Sequence, residues 1–161
     1  MSHVSALLTA KNLVMVLVAI IGSLFFGASL STSVGSEALG SALWLTICAG
    51  LGWAALIPAL VQISRIPLHE ILTDCLVSIC FGEAVLAVGA VMNWTHLVSG
   101  IPANALIVLC SNIVMAGVLA ARLQRRAFPV WKTLIVWILV LDGVGALAFW
   151  LLGFLLQWSG R

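Results

Sequence analysis

The segment LIVWILVLDGVGALAFWLLGFLL, residues 134–156, is the last long apolar stretch of the chain. A single carboxylate, Asp142, stands in its middle, and its neighbours for two turns on either side are apolar or glycine. An ionised side chain at the centre of a bilayer costs about 3 kcal/mol on insertion scales, so it usually faces the bundle interior and has a partner. The segment therefore predicts a membrane-spanning helix whose one charge is bound by another helix.

The rest of the chain shares this apolar character. Only twelve of the 161 residues are charged and 63% are hydrophobic, a composition that a water-soluble domain of this size would not show. A spanning helix needs about 20 mostly apolar residues. We expect an all-α integral membrane protein with one transmembrane domain over residues 1–161. Its five predicted spans are approximately 13–30, 42–63, 71–92, 103–121 and 132–157.

The distribution of cations predicts the orientation of the spans. Lys11, Arg65 and the basic residues between 122 and 132 flank alternate loops, whereas Glu37 is the one charge in the loops between them. Short loops rich in Lys and Arg stay on the cytoplasmic side. We expect a cytoplasmic amino terminus and a carboxyl terminus on the opposite side, with Arg161 as an exception to the rule. The expected location is the bacterial cytoplasmic (inner) membrane.

The hairpin of spans two and three resembles that of spans four and five after a shift of 62 residues. The matched positions are Cys48 with Cys110, Gln62 with Gln124, Pro67 with Pro129 and Leu72 with Leu134. A true repeat would be parallel, with a two-fold axis along the membrane normal and span one as an added element. Shared membrane composition is the alternative explanation.

Three polar side chains on consecutive spans fall at one depth. Glu83, Asn112 and Asp142 each lie within about three residues of a span centre, hence within about 5 Å of one plane. Two carboxylates and an amide satisfy one another only if an acid is protonated. One interpretation is a proton- or cation-coupling site with a proton shared by Glu83 and Asp142, and a helix that opens at Gly143 and Gly145. The alternative is a set of hydrogen bonds that hold helix register.

A second polar group lies at the cytoplasmic edge. His69, Glu70 and Asp74 open span three, where acids near the first turn favour the helix N-terminus, or where they line a mouth that leads to Glu83. Basic residues surround the turn between spans four and five, and we expect them to set topology and to contact anionic lipid head groups. These residues are Arg122, Arg125, Arg126 and Lys132.

Several classes of function are not indicated. His3, His69 and His96 stand at separate ends and loops, and no pair has metal-ligand spacing, so we expect no metal and no cofactor. The four cysteines lie inside spans without a C-x-x-C pair. No histidine matches the depth of Ser78 or Ser111, as an intramembrane hydrolase would need, so we do not expect an enzyme. The loops are too short for a nucleic-acid surface.

Two functions remain. The first is a non-catalytic subunit that packs within a larger membrane assembly, with lipids and other membrane subunits or further copies of itself as partners. The second is a small oligomeric transporter or channel that uses Glu83 and Asp142 for a proton or cation. Five spans with short loops leave little room for a private permeation path, which favours the first.

Overall fold

The computed structural model describes residues 10–35 and 38–159. Within these ranges the chain is helical, without strands, and five helices are long and apolar enough to cross a membrane, which confirms the predicted helix count. The elements are α1 (Ala10–Ser33), α2 (Ala38–Ser64), α3 (Leu68–Trp94), α4 (Ile101–Gln124), α5 (Val130–Val136), a π-helical segment (Trp137–Asp142) and α6 (Gly143–Ser159). All five long helices, with residues 130–159 counted as one, extend past the predicted spans at both ends.

Some ionisable residues of the chain lie beyond the described ranges. His3, Glu37 and Arg161 lie outside the described residues, and the side chain of Lys11 is likewise outside them. The structure therefore describes the charged side chains near Arg65 and between residues 122 and 132, but not those of the four residues just named.

The long helices form a ring of four with one helix outside it. Going round the ring, α2 packs on α3, α3 on α4, α4 on α5, and the continuous rod of α5, π segment and α6 returns to α2. Within the ring, the most extensive contacts are those of α3 with α4 and of the rod with α2. Helix α1 lies outside the ring and packs mainly along α3. Helix α3 therefore has α1 on one face and α4 on another.

The densest core lies near the end of the ring where α2 meets α3 and α4 meets α5. Leu56, Leu60, Ile71, Leu119 and Leu123 are inaccessible to solvent there. In the same cluster the rings of Trp53 and Trp137 meet edge to face, with 5.1 Å between their centres. Most of the remaining apolar surface of the helices is exposed, as expected for side chains in contact with lipid or with other helices.

Each turn at this end of the ring contains a residue in the left-handed conformation. Arg65 and Ala127 both follow a helix and adopt left-handed φ angles of 60° and 61°. Each is followed by a buried apolar residue, Ile66 or Phe128, and then by a proline that precedes the next helix. Each proline carbonyl accepts the first bond of that helix, from the N–H of Ile71 or of Thr133, at 3.2 Å in both cases. Equivalent residues of the two turns are therefore separated by the same number of positions as Pro67 and Pro129.

Core packing follows the same spacing. Ten of the eighteen side chains in or against the core form five pairs whose numbers differ as those of Pro67 and Pro129 do. The pairs are Trp53 and Met115, Ile57 and Leu119, Val61 and Leu123, Ile66 and Phe128, and Cys75 and Trp137. The two close helix pairs, α2 with the rod and α4 with α3, also exchange under this shift. Each hairpin thus contributes equivalent positions to one core.

Candidate functional site

Asp142 is bound by the amide that shares its depth. The Nδ2 of Asn112 on α4 donates to the Oδ1 of Asp142 over 3.1 Å, and the indole Nε1 of Trp137 donates to the Oδ1 of Asn112 over 3.0 Å. Trp137 is buried, whereas Asn112 and Asp142 are half-buried. The three side chains form a short chain of hydrogen bonds that joins α4 to the π segment.

The π segment ends at Asp142, and its irregular backbone is packed against α2. A Cβ on Gly52 would lie 2.7 Å from the carbonyl oxygen of Leu141, so the absence of a side chain at this position permits the contact. Gly143, where the sequence predicts that the helix can open, has an ordinary helical φ of −65°. The departure from α-helix precedes Asp142 instead. Single π turns of this kind are uncommon and often accompany functional sites.

Glu83 lies on another face of α3, against α1. The Oγ of Ser23 donates to the Oε1 of Glu83 over 2.7 Å, and the residue is 9% exposed. Its other oxygen, Oε2, is buried against Gly22 and has no hydrogen-bond partner among the described residues. A buried acceptor without a donor is uncommon in native structures and requires an explanation.

A cleft of about 320 Å³ adjoins this carboxyl group between α1 and α3. Apart from Gly22 and Glu83 its lining is apolar or weakly polar. The lining residues are Val18, Ile21, Phe25, Cys80, Ala84 and Ala87. A mostly apolar cavity with one polar group is the usual form of a small-molecule site, and this volume is near the lower end of the usual range.

The structure thus divides the three polar residues that the sequence places at one depth. It joins Asn112 to Asp142, but within the described ranges no hydrogen bond links Glu83 to either of them. The predicted sharing of a proton between Glu83 and Asp142 has no direct contact to support it. The position of a residue in a span gives its depth, whereas the face on which it lies depends on how the helices pack. Gly82, the residue before Glu83, faces α4 instead of α1. Its carbonyl accepts a hydrogen bond from the Oγ of Ser111 on α4.

The acids at the start of α3 are bound by arginines of α4. Asp74 is 1% exposed, and its two oxygens accept from the Nε of Arg122 at 2.6 Å and the Nε of Arg126 at 2.7 Å. Glu70 accepts from the Nη1 of Arg126, and the Nε2 of His69 lies 3.8 Å from Glu70. The hydrogen bond to Asp74 is the main cause of a raised pKa at Arg126, which therefore stays charged.

Sequence reasoning places Glu70 correctly in the first turn of the helix but misses these partners. Asp74 lies beyond that turn, so the helix terminus does not account for it. A signal was present in the spacing: both pairs, Glu70 with Asp74 and Arg122 with Arg126, are four residues apart, which places each pair on one helix face.

The other two cations of the predicted basic group have different surroundings. Arg125 is exposed and forms no salt bridge with any acid that the structure describes. The Nζ of Lys132 lies 5.5 Å from the centre of the exposed Trp131 ring. Arg125 lines a small cavity together with Asp74, Arg122 and Arg126, whereas Lys132 does not.

A buried polar cluster at the opposite end of the bundle was not predicted. Asn93 is inaccessible, and its Nδ2 donates to the Oγ of Ser29 over 3.2 Å and to the Oδ1 of Asn104 over 2.8 Å. The cluster ties α1, α3 and α4 together where α3 ends. Gly100, with a left-handed φ of 86°, turns the chain so that Asn104 returns to α3. The predicted span ends just before Asn93, and nothing in the sequence indicates that Asn93 is buried.

No group of three or more potential metal-binding side chains occurs in the part of the chain that the structure describes. Comparisons of the chain with protein-family models, with curated proteins and with solved structures find no match.

Proposed function

We propose that this chain is a non-catalytic multi-pass membrane protein that packs through its helices within a larger membrane assembly, with other subunits or further copies of itself. Its expected surroundings are the bacterial inner membrane, with the amino terminus cytoplasmic. The observation that carries the proposal is an exposed helix face on α2.

Small residues form a line along the exposed side of α2. The residues are Thr46, Gly50, Ala54 and Pro58, four apart and all exposed. A Cβ added to Gly50 would meet nothing within 4 Å. In lipid, small residues at this spacing let a second helix approach closely, whereas a helix that only contacts acyl chains gains nothing from them. A helix of another subunit or copy would fit this face.

The polar side chains within the spans support a structural role. Asn112 is hydrogen-bonded to Asp142 and to Trp137, and Asp74 is bound by two arginines. Hydrogen bonds of this kind hold helices in register in a membrane. Most of the polar side chains that could line a conduction path are thus engaged in hydrogen bonds between helices.

The matched turns and core positions support a further proposal, that the hairpins of α2–α3 and α4–α6 are an internal repeat. At corresponding positions of the two turns stand a residue with a left-handed φ, a buried apolar residue and a proline, which is more than membrane composition alone requires. A parallel repeat with α1 added would place the two-fold axis along the membrane normal.

The assembly proposal is tested by the exchange Gly50→Leu in the full chain. After extraction in a mild detergent, size and composition of the complex are measured by native mass spectrometry. We expect the larger side chain to block close approach and to weaken association by about tenfold. Gly153→Leu on α6 is the matched control, since Gly153 is also exposed with open space at its Cβ.

Equal effects of the two exchanges would contradict a role for the α2 face. A wild-type chain that elutes as a monomer, alone and after gentle extraction, would contradict assembly altogether.

A second function, proton- or cation-coupled transport, is favoured by one specific observation. The Oε2 of Glu83 is buried without a partner beside an apolar cleft, which suits a group that binds and releases a proton. Glu83→Gln should then abolish proton-linked flux in liposomes of the purified protein, and Asp142→Asn, outside the cleft, should leave much of it. Absence of flux with the wild-type chain would exclude this function.

A further inference from the structure

A small polar cavity opens beside the ion pairs of α3 and α4. It has a volume of about 210 Å³ and is lined by Asp74, Arg122, Arg125 and Arg126. It lies at the same end of the bundle as Arg65 and Lys132, where the helices leave their apolar spans. The cavity is independent of the α2 face and of the Glu83 cleft.

Asp74 holds two of the arginines in place. Because Asp74 is 1% exposed and accepts from the Nε of Arg122 and of Arg126, each guanidinium is anchored by one edge. A guanidinium carries five N–H donors. Arg122 shows no further acidic partner in the described ranges, and Arg126 gives one Nη to Glu70. Several donors are therefore left over at the cavity.

The charge at the cavity is not balanced. Three guanidiniums, those of Arg122, Arg125 and Arg126, stand against two carboxylates, Asp74 and Glu70, which leaves one positive charge. Arg125 has no acidic partner in the part of the chain that the structure describes. Planar guanidiniums fixed in position match the geometry of a phosphate oxygen pair better than lysines do.

We infer that the cavity formed by Arg122, Arg125 and Arg126, supported by Asp74, binds a phosphate group. Two sources supply this chemistry at the edge of a membrane: the headgroup of an anionic phospholipid and free phosphate. Asp74 is a positioning residue, since it acts through the arginines. Arg125 is the residue whose charge is available to the phosphate.

The test uses the purified full chain and two probes. In one arm the chain is placed in nanodiscs of phosphatidylcholine with increasing phosphatidylglycerol, and bound phosphatidylglycerol is counted by native mass spectrometry. In the other arm the chain is held in a neutral detergent and titrated with inorganic phosphate while thermal unfolding is followed. Arg125→Gln is the main variant because it leaves the bonds to Asp74 in place. Lys132→Gln removes the same charge outside the cavity.

We expect Arg125→Gln to weaken binding of the phosphate probe about fivefold, which corresponds to one basic residue near a membrane surface, and Lys132→Gln to weaken it less than about twofold. Glu70→Gln should strengthen binding because it removes a negative charge that repels the phosphate and competes with it for Arg126. Binding of phosphatidylglycerol alone identifies a lipid site, and stabilisation by inorganic phosphate identifies a site for free phosphate. Binding of neither probe, or equal losses with Arg125→Gln and Lys132→Gln, would overturn the inference.

Discussion

Gly52 of α2 lies so close to Leu141 of the π segment that a Cβ at position 52 would stand 2.7 Å from the Leu141 carbonyl oxygen and 3.3 Å from its Cγ. The first of these atoms belongs to the backbone and cannot turn aside. This contact places the last helical rod against α2. It is made by Leu141, the residue directly before Asp142. The position of the Asp142 carboxyl group thus depends partly on a glycine in another helix.

Gly52→Ala should therefore destabilise the bundle by about 1–3 kcal/mol, the usual cost of inserting atoms into a packed contact. Unfolding in mixed micelles measures this. Gly50→Ala on the same helix is the matched control, since its Cβ would meet nothing within 4 Å, and it should be neutral or slightly stabilising. Equal stability of the two variants would show that α2 and the rod are not in close contact.

Double-mutant cycles test whether the polar residues of the spans act together. The pair Asn112→Ala and Asp142→Ala should show a coupling of about 0.6 kcal/mol, typical of a hydrogen bond between helices in a membrane. The pair Glu83→Gln and Asp142→Asn should show none, because no hydrogen bond joins these residues. A coupling between Glu83 and Asp142 as large as that of the bonded pair would restore the shared site that depth alone suggests.

Asp74→Asn should destabilise the chain by about 1–3 kcal/mol, because it removes a hydrogen-bonded charge from between two arginines. We place it below the full cost of a broken buried pair because the side chains of Arg122 and Arg126 are about one-third exposed and can reach water. Glu70→Gln, at the more exposed end of the network, should cost less than about 0.5 kcal/mol. A Glu70 variant that costs more than Asp74→Asn would contradict the central role of Asp74.

The pH dependence of this network follows from Arg126. Its pKa is raised, mainly by the hydrogen bond to Asp74, so the stability gained from its charge is fully present below its ordinary pKa. That stability is lost only as the pH rises through the raised value. The difference between wild type and Asp74→Asn should therefore be constant from about pH 6 to about pH 9 as far as Arg126 is concerned. A steady fall towards pH 9 would show that Arg126 is not charged throughout.

Ala127→Gly should stabilise the turn between α4 and α5 by about 0.5–1 kcal/mol, since Ala127 has a φ of 61° and a left-handed residue with a Cβ is strained. The matched control is Ala121→Gly within α4, which should cost about 1 kcal/mol because glycine lowers helix propensity. Thermal unfolding of both variants gives the comparison. Destabilisation by both would indicate that the turn is not left-handed at position 127.

Particular residues show how far the sequence leads. The apolar runs and their breaks at Pro67 and Pro129 predict five long helices because the length of a span and the φ of proline are local properties. The spacing of these prolines also predicts that the two turns correspond. Asn112 and Asp142 were predicted to share a depth, and they are in contact. Asn93 directly follows the predicted end of span three, and its burial depends on α1 and α4, which no local pattern describes.

The sequence by itself determined an all-helical chain with five segments long and apolar enough to span a membrane, because composition and helix length are fixed by each segment alone. The tertiary structure decided which polar groups meet. Because α1 packs on α3, Glu83 is hydrogen-bonded to Ser23. Because α4 packs against the rod, Asp142 is hydrogen-bonded to Asn112. Packing of α4 against α3 also placed Arg122 and Arg126 on Asp74. The rotation of a helix about its own axis is set by contacts between segments that are distant in the chain. The sequence pattern predicts the depth of a residue in its span but not this rotation.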